Sequence, residues 1–518
     1  MNKDEEKRLV VIGLDGATFE LIRPMVERGR LPCIAELLSR GWSAPLLSTV
    51  PPITPPAWSS FATGAPPEEH GVFGFNYPDP NDYSLRLTTV ADLRRPTLWR
   101  QLSRAGVCVL LLDVPFTFPP EPVNGCAVAG FPISSVAGFT SPPDLANRLE
   151  SAGIACPPHP AEPPDPAAPG FLEWLDQFLN QRLQLFRHLA EQQPWQFAMV
   201  GAMALDWAQH ALWKYFDPRF AFAGEPEAAE RRETLFAAYG RVDRFVGDVT
   251  EAAGEQTEIL LVSDHGFGTA FHYDWVSEAL AQAGLLFWRS RGRGLAGTVG
   301  AAALKAVRSS ARLQRLGKRW LGDTKAARTW ARRARAYSQI DWDRTRVFPA
   351  GDYQLNLYIN RRSCFSRGTV EDGDDSAQVL NDAMAALEGF RPPGHDLPLV
   401  RRIVRHECGG KEAACRTPDL SLELTVLPPA SEAPVQPSAG LCGFHGPEGI
   451  LISASGKWLA PDQSAKREIK DLAPAILSYF GIQSGGEECG GPATSAPAVS
   501  PEQTTAVLDS LRHLGYLD

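Results

Sequence analysis

The chain of 518 residues is 44% hydrophobic and 21% charged, which is ordinary for a globular enzyme, and it is longer than a usual single domain. Its formal net charge of −9 argues against a dedicated nucleic-acid-binding protein, and its nine scattered cysteines, without a CxxC pair, favour buried thiols in a reducing compartment over a disulfide framework. The charged start MNKDEEKR lacks the features of a signal peptide, and no apolar run reaches about 18 residues, so we expect a cytoplasmic protein without a spanning helix.

Short apolar runs predict strands that are buried on both faces. They span residues 9–14, 107–114, 196–205 and 258–264. Between successive runs, residues 171–190 and 234–249 repeat apolar side chains with the helical period, and Arg182 is the one mismatch in the first stripe. This alternation over the first 285 residues predicts an α/β fold, with a doubly wound and largely parallel sheet flanked by helices.

Basic residues dominate the segment 289–335, where Asp323 is the single acidic residue. We predict that residues 286–339 form a helical insertion or cap on the core. A solvated helical subdomain is the favoured interpretation of this charge, and peripheral contact of residues 289–335 with an anionic membrane is the alternative. The predicted boundaries are 1–285 and 340–482 for the core, 483–500 for a flexible linker and 501–518 for a C-terminal helix.

The candidate metal ligands are acidic and histidine side chains: Asp15, Asp206, His210, Asp264, His265 and His445. Asp15, Asp206 and the pair Asp264–His265 each follow a predicted strand. His210 comes four residues after Asp206, and His445 lies just before the strand-like run GILIS. Because open α/β sheets bind ligands beyond the carboxyl ends of their strands, we expect the side chains to meet at one edge. Three aspartates and three histidines are the ligand types expected for two zinc-like ions that share a site with a substrate oxyanion.

Thr54 is the candidate nucleophile, and it precedes two prolines in the run PPITPPAWSSFATG. Proline favours the first helical position, so we expect Thr54 at or near a helix N-cap, where the dipole and free N–H groups favour an anion. A threonine hydroxyl is a weak nucleophile at neutral pH, and coordination to a dication activates it. Taken alone, the Thr-Pro-Pro run leaves a simple N-cap threonine as the alternative.

The ordered set of residues resembles the alkaline phosphatase superfamily, and within it the type I phosphodiesterase and nucleotide pyrophosphatase group. Thr54 is followed nine positions later by Thr63 and Gly64, and then by Pro-x-x-His-Gly from Pro67 to Gly71, which is the spacing of that group's nucleophile segment. The text around Thr54 looks closest to bacterial and archaeal predicted phosphohydrolases or phosphomutases. The similarity spans nearly the whole chain.

The resemblance implies an alkaline phosphatase-like core that binds two divalent metal ions, zinc in the first place and manganese as the alternative. One ion would be bound by Asp15, Thr54, Asp264 and His265, and the other by Asp206, His210 and His445. Thr54 would attack phosphorus in line and form a phosphothreonine intermediate. The implied substrate is a phosphate-ester small molecule or a lipid headgroup.

One position departs from the group's pattern. Nucleotide pyrophosphatases place a phosphate-binding Asn where this chain has Phe75, so the neighbouring Asn76 is the candidate substrate contact through a shifted loop. A phosphodiesterase is the leading hypothesis. The alternatives are a phosphomutase or phosphomonoesterase of the same superfamily, and a non-catalytic protein that binds a membrane surface. A sulfatase is disfavoured because the chain lacks a Cys-x-Pro-x-Arg segment.

Overall fold

The computed structural model describes most of the chain. The described ranges are 7–133, 138–155, 164–289, 339–407, 415–427, 441–455, 467–483 and 499–513. Most of the predicted basic insertion, the greater part of the predicted linker and the last five residues of the predicted terminal helix therefore lie outside the described residues. Among the described residues, no helix is both long and apolar enough to cross a bilayer.

The described strands, in chain order, are β1 (Leu9–Leu14), β2 (Trp42–Leu47), β3 (Asn76–Pro78), β4 (Leu85–Leu87), β5 (Val109–Val114), β6 (Gly125–Ala129), β7 (Thr140–Ser141), β8 (Phe197–Ala202), β9 (Glu258–Val262), β10 (Gly266–Phe271), β11 (Val347–Ala350), β12 (Asn356–Ile359), β13 (Val400–Arg405), β14 (Leu420–Leu424), β15 (Val426–Leu427), β16 (Leu441–Gly446), β17 (Glu448–Ser453) and β18 (Arg467–Glu468). The described helices are α1 (Phe19–Glu27), α2 (Pro32–Arg40), α3 (Thr54–Thr63), α4 (Pro67–His70), α5 (Leu98–Arg104), α6 (Leu145–Ser151), α7 (Phe171–Gln192), α8 (Ala204–Phe216), α9 (Ala228–Ala253), α10 (Asp274–Gln282), α11 (Asp374–Gly389), α12 (Leu472–Tyr479) and α13 (Pro501–His513).

A mixed, largely parallel sheet of nine strands forms the centre of the fold, in the order β18-β2-β17-β9-β1-β8-β5-β6-β7. Its middle strands, from β9 through β1, β8 and β5 to β6, all run parallel. β17 is antiparallel to both of its neighbours, and β7 is antiparallel to β6. The four strands predicted from apolar runs are β1, β5, β8 and β9, so the predicted doubly wound α/β class is confirmed.

The side chains of β1 alternate between the two faces of the sheet, and this explains why its sequence is apolar throughout. Val10, Ile12 and Leu14 belong to the core on one face of the sheet, and Leu9 and Val11 belong to the core on the other face. All five side chains are fully buried. Successive side chains of a strand point to opposite faces, so a strand covered by helices on both sides needs an apolar residue at every position.

A second, antiparallel sheet has the order β11-β12-β14-β13, and α11 packs beside it. The sequence pattern assigns this region to the core but does not indicate a separate sheet. β11 and β12 have four residues each, which is too short for an apolar run to stand out. A smaller sheet, in the order β15-β10-β16, places His445 opposite Phe267.

One disulfide and one β-bridge connect segments that are distant in the sequence. Cys364 and Cys415 form a disulfide, so the expectation of thiols at all nine cysteines was wrong at this pair. Their Cα atoms are 5.4 Å apart although 51 positions separate them, a proximity that spacing alone does not reveal. Trp288 forms an antiparallel bridge with Ile340, which brings together the two ends of the predicted insertion.

Candidate active site

Three neighbouring strands of the central sheet deliver the predicted acidic ligands to one edge. Asp15 follows β1, Asp264 follows β9, and Asp206 lies in the first turn of α8, directly after β8. β1 pairs with both β8 and β9, and all three run parallel, so their carboxyl ends lie side by side. The structure therefore brings together the aspartates that the sequence separates by up to 249 positions.

A first cluster consists of Asp15, Asp264 and His265, all of them fully buried. His265 Nε2 lies 3.6 Å from Asp15 Oδ1 and 3.4 Å from Asp264 Oδ2. One ligand atom from each of the three side chains falls within 4.8 Å of the others. This is a compact set of two carboxylates and one imidazole, a set of donors that suits a divalent cation.

A second cluster consists of Asp206, His210 and His445, and it adjoins the first. Asp206 Oδ1 lies 3.3 Å from His210 Nε2 and 3.3 Å from His445 Nε2. The two imidazole Nε2 atoms are 2.8 Å apart. The ring of His265 stacks on that of His445 with 3.8 Å between centroids, and His265 also groups with Asp206 and His445. His265 thus takes part in both clusters, whereas the resemblance placed it in one.

The hydrogen bonds of two histidines determine which ring nitrogen carries the proton. His265 Nδ1 lies 3.0 Å from the carbonyl of Gly266, and His445 Nδ1 lies 3.0 Å from the carbonyl of Pro52. A carbonyl oxygen only accepts, so each Nδ1 donates, and in the neutral ring each Nε2 keeps its lone pair. Both lone pairs are directed at the carboxylates, which is the arrangement of histidines that bind a metal through Nε2.

Burial and mutual repulsion shift the pKa values of these groups. Burial, with the nearby Asp206 carboxylate, raises the pKa of Asp15 well above its usual range, and burial with Asp15 does the same to Asp264. Burial also raises the pKa of Asp206, but His210 and His445 outweigh it and hold that pKa well below its usual value. Burial lowers the pKa of His265. Burial and repulsion thus disfavour negative charge on Asp15 and Asp264, and a bound cation would favour their carboxylate forms.

Thr54 is the first residue of α3, and Ile53 is its N-cap, so Thr54 lies one position inside the predicted cap. The carbonyl of Pro52, two residues before it, accepts the hydrogen bond from His445. Trp58, one helical turn after it and on the same face, donates from Nε1 to Asp15 Oδ2 at 2.9 Å. The chain on both sides of Thr54 is therefore tied to the two clusters.

Several buried polar atoms of the site have no hydrogen-bond partner within the parts of the chain that the structure describes. They are Asp15 Oδ1, Thr54 Oγ1, Asp264 Oδ2 and His265 Nε2. Buried polar atoms in proteins are nearly always satisfied, so this concentration of exceptions calls for a further partner. The ligand atoms of Asp15, Asp264 and His265 lie within 4.8 Å of one another, and carboxylate and imidazole groups are ligands that zinc and manganese accept. The residues present therefore fit divalent metal ions.

The surroundings of Phe75 explain why this chain has no asparagine at the position of the phosphate-binding Asn. Phe75 is 1% exposed and packs edge-on against Phe131, with 5.8 Å between ring centroids. An asparagine there would bury an amide in an apolar core, which costs free energy. Asn76 begins β3, is buried, and lines a cavity together with Arg94 and Arg416. Its predicted contact with substrate stays a prediction.

Tyr353 is a residue of the site that the sequence analysis missed. It comes from the connection between β11 and β12, and its ring centroid lies 5.6 Å from that of His445 and 6.2 Å from that of His210. Tyr353 and Gln354 have φ values of 56° and 57°, a left-handed conformation that strains residues other than glycine. Such strain concentrates at functional sites. In the sequence, Gly351, two residues before Tyr353, is the one sign of a turn here.

A buried hydrogen-bonded chain supports the turn between Asp15 and α1. Tyr239 Oη donates to Gln209 Oε1 at 2.9 Å, and Gln209 Nε2 donates to the carbonyl of Gly16 at 2.8 Å. Gly16 has a φ of +70°, and a Cβ on it would lie 3.2 Å from the backbone of Asp206. Only glycine allows the turn to approach α8 this closely. The sequence shows this only as the dipeptide Asp-Gly.

The fold and the two clusters place the chain among α/β proteins with a buried set of candidate metal ligands at the carboxyl edge of the central sheet. Residues 9–343 match the family model for type I phosphodiesterase / nucleotide pyrophosphatase. The chain therefore belongs to the type I phosphodiesterase / nucleotide pyrophosphatase family, and it is a phosphoric ester hydrolase of the phosphodiesterase type. Membership in the family confirms the resemblance that its motifs indicated.

Two solved structures are similar to the chain, and both are of phosphonoacetate hydrolase from Sinorhizobium meliloti 1021. The complex with phosphonoformate is 17% identical, with a TM-score of 0.50 over 91% of this chain and 95% of that chain. The complex with phosphonoacetate is also 17% identical, with a TM-score of 0.48 over the same shares of the two chains. At this level of identity, the first of these likenesses supports the shared fold.

Proposed function

We propose that the protein is a two-metal phosphodiesterase in which Thr54 is the nucleophile. The observation that carries this proposal is the position of Thr54 between Pro52 and Trp58, which contact one cluster each. Its hydroxyl is 1% exposed and has no hydrogen-bond partner among the described residues. A buried hydroxyl at the start of a helix, beside unsatisfied carboxylate and imidazole atoms, is suited to nucleophilic attack on phosphorus.

Two groups of side chains would hold the two ions. The first comprises Asp15, Thr54, Asp264 and His265, and the second comprises Asp206, His210 and His445. When bound there, divalent ions supply Lewis acidity toward the threonine hydroxyl and the phosphoryl oxygens. The mixture of imidazole and carboxylate donors favours zinc, with manganese as the alternative.

The chain itself positions the nucleophile. Pro55 and Pro56 occupy the next two positions of α3, where they fix the helical backbone and remove two N–H groups that would lack helical partners. The positive end of the α3 dipole favours the negative charge of a phosphate group beside Thr54. Attack by Thr54 Oγ1 on phosphorus, in line with the leaving oxygen, would break the bond from phosphorus to that oxygen, release one alcohol together with the hydroxyl proton, and leave a phosphothreonine that keeps the other alcohol. Hydrolysis of the threonine ester would regenerate the hydroxyl and release a phosphomonoester.

The reaction class is tested by comparing bis(p-nitrophenyl) phosphate with p-nitrophenyl phosphate under matched conditions. We expect kcat/KM for the diester to exceed that for the monoester by at least about tenfold, which corresponds to roughly 1.4 kcal/mol of transition-state discrimination. Both activities should vanish after chelation and return when zinc or manganese is restored. Equal activity on the two esters, or turnover that survives complete chelation, would contradict the proposal.

A further inference from the structure

A small cavity of about 30 Å³ lies between the loop that follows α4 and the antiparallel sheet. Phe73, Asn76 and Tyr77 line it from the loop, and Tyr358 and Arg416 line it from the side of the sheet. All of the residues that line it are different from the predicted metal ligands. The lining is therefore distinct from the two clusters, although it includes Asn76, the predicted substrate contact.

Arg94 contributes a cationic group to this cavity. Within the parts of the chain that the structure describes, its guanidinium has neither a hydrogen-bond partner nor an ion-pair partner. The side chain lies across Gly71, with Nε 2.8 Å from the point that a Cβ on residue 71 would occupy. Gly71 also has a φ of +83°, so glycine is required for the turn and for the approach of Arg94. The neighbouring Arg95, in contrast, pairs with Glu69.

Arg416 brings a second guanidinium to the cavity, and its surroundings hold it in place. It forms an ion pair with Asp92 at 3.0 Å, and its guanidinium lies 4.7 Å from the centroid of the Tyr77 ring. Its backbone carbonyl accepts a hydrogen bond from Tyr358 Oη at 3.2 Å. The preceding residue, Cys415, is held by the disulfide. A guanidinium fixed in this way loses little conformational freedom when a ligand binds.

The charges of the cavity favour an anion. Arg94 and Arg416 contribute two positive charges, and Asp92, which also lines the cavity, contributes one negative charge. A guanidinium presents N–H donors in a fork that matches the oxygens of a phosphate group. Tyr77 and Phe73 add apolar surface beside these donors.

We propose that this cavity binds a phosphate group, carried either by a second part of the substrate or by a free effector. The connection to substrate rests on the proposed phosphodiesterase function, whereas phosphate binding by the cavity does not. A phosphate group bound here would add to the recognition of the substrate, because the site lies beside the loop that continues from the nucleophile segment through His70.

Equilibrium dialysis of the metal-loaded protein with radiolabelled inorganic phosphate tests the site directly. We expect Arg94→Gln and Arg416→Gln each to raise the dissociation constant of the phosphate bound in the cavity by at least about tenfold, the scale of losing a charge-assisted hydrogen bond. Arg95→Gln is the matched control, because Arg95 is adjacent in sequence and pairs with Glu69 outside the cavity, and it should bind phosphate like the wild type. If Arg94→Gln and Arg416→Gln also bind like the wild type, the proposal is overturned.

The metal centre is the other place where phosphate could bind, and Asp264→Asn separates the two. Phosphate binding that persists in Asp264→Asn and is lost when Arg94→Gln is added supports the cavity. If phosphate binding disappears in Asp264→Asn and is unchanged in Arg94→Gln, all of the bound phosphate belongs to the metal centre, and the cavity site is overturned. Failure of the metal-loaded wild type to hydrolyse the diester, together with intact Arg94-dependent phosphate binding, would refute the proposed function and leave the phosphate site standing.

Kinetics distinguish the two sources of the phosphate group. If the substrate carries it, Arg94→Gln should lower kcat/KM at least about tenfold for a p-nitrophenyl diester that bears a terminal phosphate, and spare bis(p-nitrophenyl) phosphate. If a free effector carries it, added phosphate should change turnover of bis(p-nitrophenyl) phosphate in the wild type to an extent that Arg94→Gln reduces. Either pattern supports the site. Identical kinetics of Arg94→Gln and Arg95→Gln in both assays would count against it.

Discussion

Individual ligands of the candidate site are oriented by neighbours that are not themselves predicted ligands. Trp58 donates to Asp15, and the carbonyl of Pro52 accepts from His445. Contacts of this kind set the orientation and the tautomer of a metal ligand, and they commonly affect metal affinity. The aspartates and His265 could be predicted because each follows a strand-like run, whereas His445 precedes such a run and was supported by the family resemblance. The orienting partners could not be predicted, because a hydrogen bond between segments distant in the chain leaves no local pattern.

The hydrogen bond from Trp58 gives a residue-scale prediction. Trp58→Phe keeps an aromatic ring and removes the N–H group, so we expect metal affinity to fall about 10- to 100-fold, the usual effect of losing a partner of a ligand. Trp99→Phe is the matched control, since Trp99 is similarly buried and its Nε1 donates to Glu121 at 2.9 Å, a carboxylate outside both clusters. Competition with a chromogenic chelator measures the affinity. Equal zinc affinity in the two variants would show that the bond to Asp15 does not matter.

Among the elements, α3 and α4 are joined by one fully buried histidine of the nucleophile segment. The backbone N–H of Val72 donates to His70 Nδ1 at 3.1 Å, so His70 Nε2 carries the proton and donates to Ser60 Oγ at 3.0 Å. Burial lowers the pKa of His70 to about 3. His70 therefore stays neutral in the folded protein at every pH near neutrality, and it holds the helix that begins at Thr54.

This pKa predicts how the stability of the α3–α4 unit depends on pH. In the unfolded chain His70 takes up a proton near pH 6.5, and in the folded protein only near pH 3, so the unfolded state binds more protons between these values. Its contribution to stability is present above about pH 6.5 and is lost as the pH falls. We expect the destabilisation caused by His70→Gln to shrink by about 2 kcal/mol between pH 7 and pH 5.

Urea unfolding of the wild type and His70→Gln at both pH values measures this difference. The subtraction removes the contributions of the other titrating groups that the two proteins share. A destabilisation that is the same at pH 7 and pH 5 would contradict the buried, neutral histidine.

The helix α7 could be predicted from its sequence, but the buried ion pair that it forms could not. Its apolar stripe was predicted with Arg182 as a mismatch, and the structure buries Arg182 completely. The guanidinium forms an ion pair with Asp113 of β5 and donates to the carbonyl of Phe178. The mismatch is a buried charge with its partner on another element, which helical periodicity cannot show.

For the whole molecule, the central sheet could be predicted because its strands are continuous apolar runs, and the antiparallel sheet could not because its strands are short. That second sheet provides Tyr353 beside the histidines and Tyr358 beside the cavity, so it contributes to both proposed sites. The solvated helical subdomain predicted for residues 289–335, and its alternative of membrane contact, fall outside the described residues from 290 onward and stay predictions. The predicted boundaries of the core, insertion and linker likewise stay predictions.

The central claim, that Thr54 is the nucleophile of a metal-dependent phosphodiesterase, is tested most directly by the turnover of Thr54→Ala on a chromogenic diester. Thr63→Ala is the matched control, because Thr63 ends the same helix and its hydroxyl donates to the carbonyl of Ser59. Metal content is measured on the same samples. We expect Thr54→Ala to lose roughly a thousandfold or more in kcat, the scale of losing a nucleophile, and still to bind metal, while Thr63→Ala behaves like the wild type. Turnover by metal-loaded Thr54→Ala at the rate of Thr63→Ala would contradict the central claim.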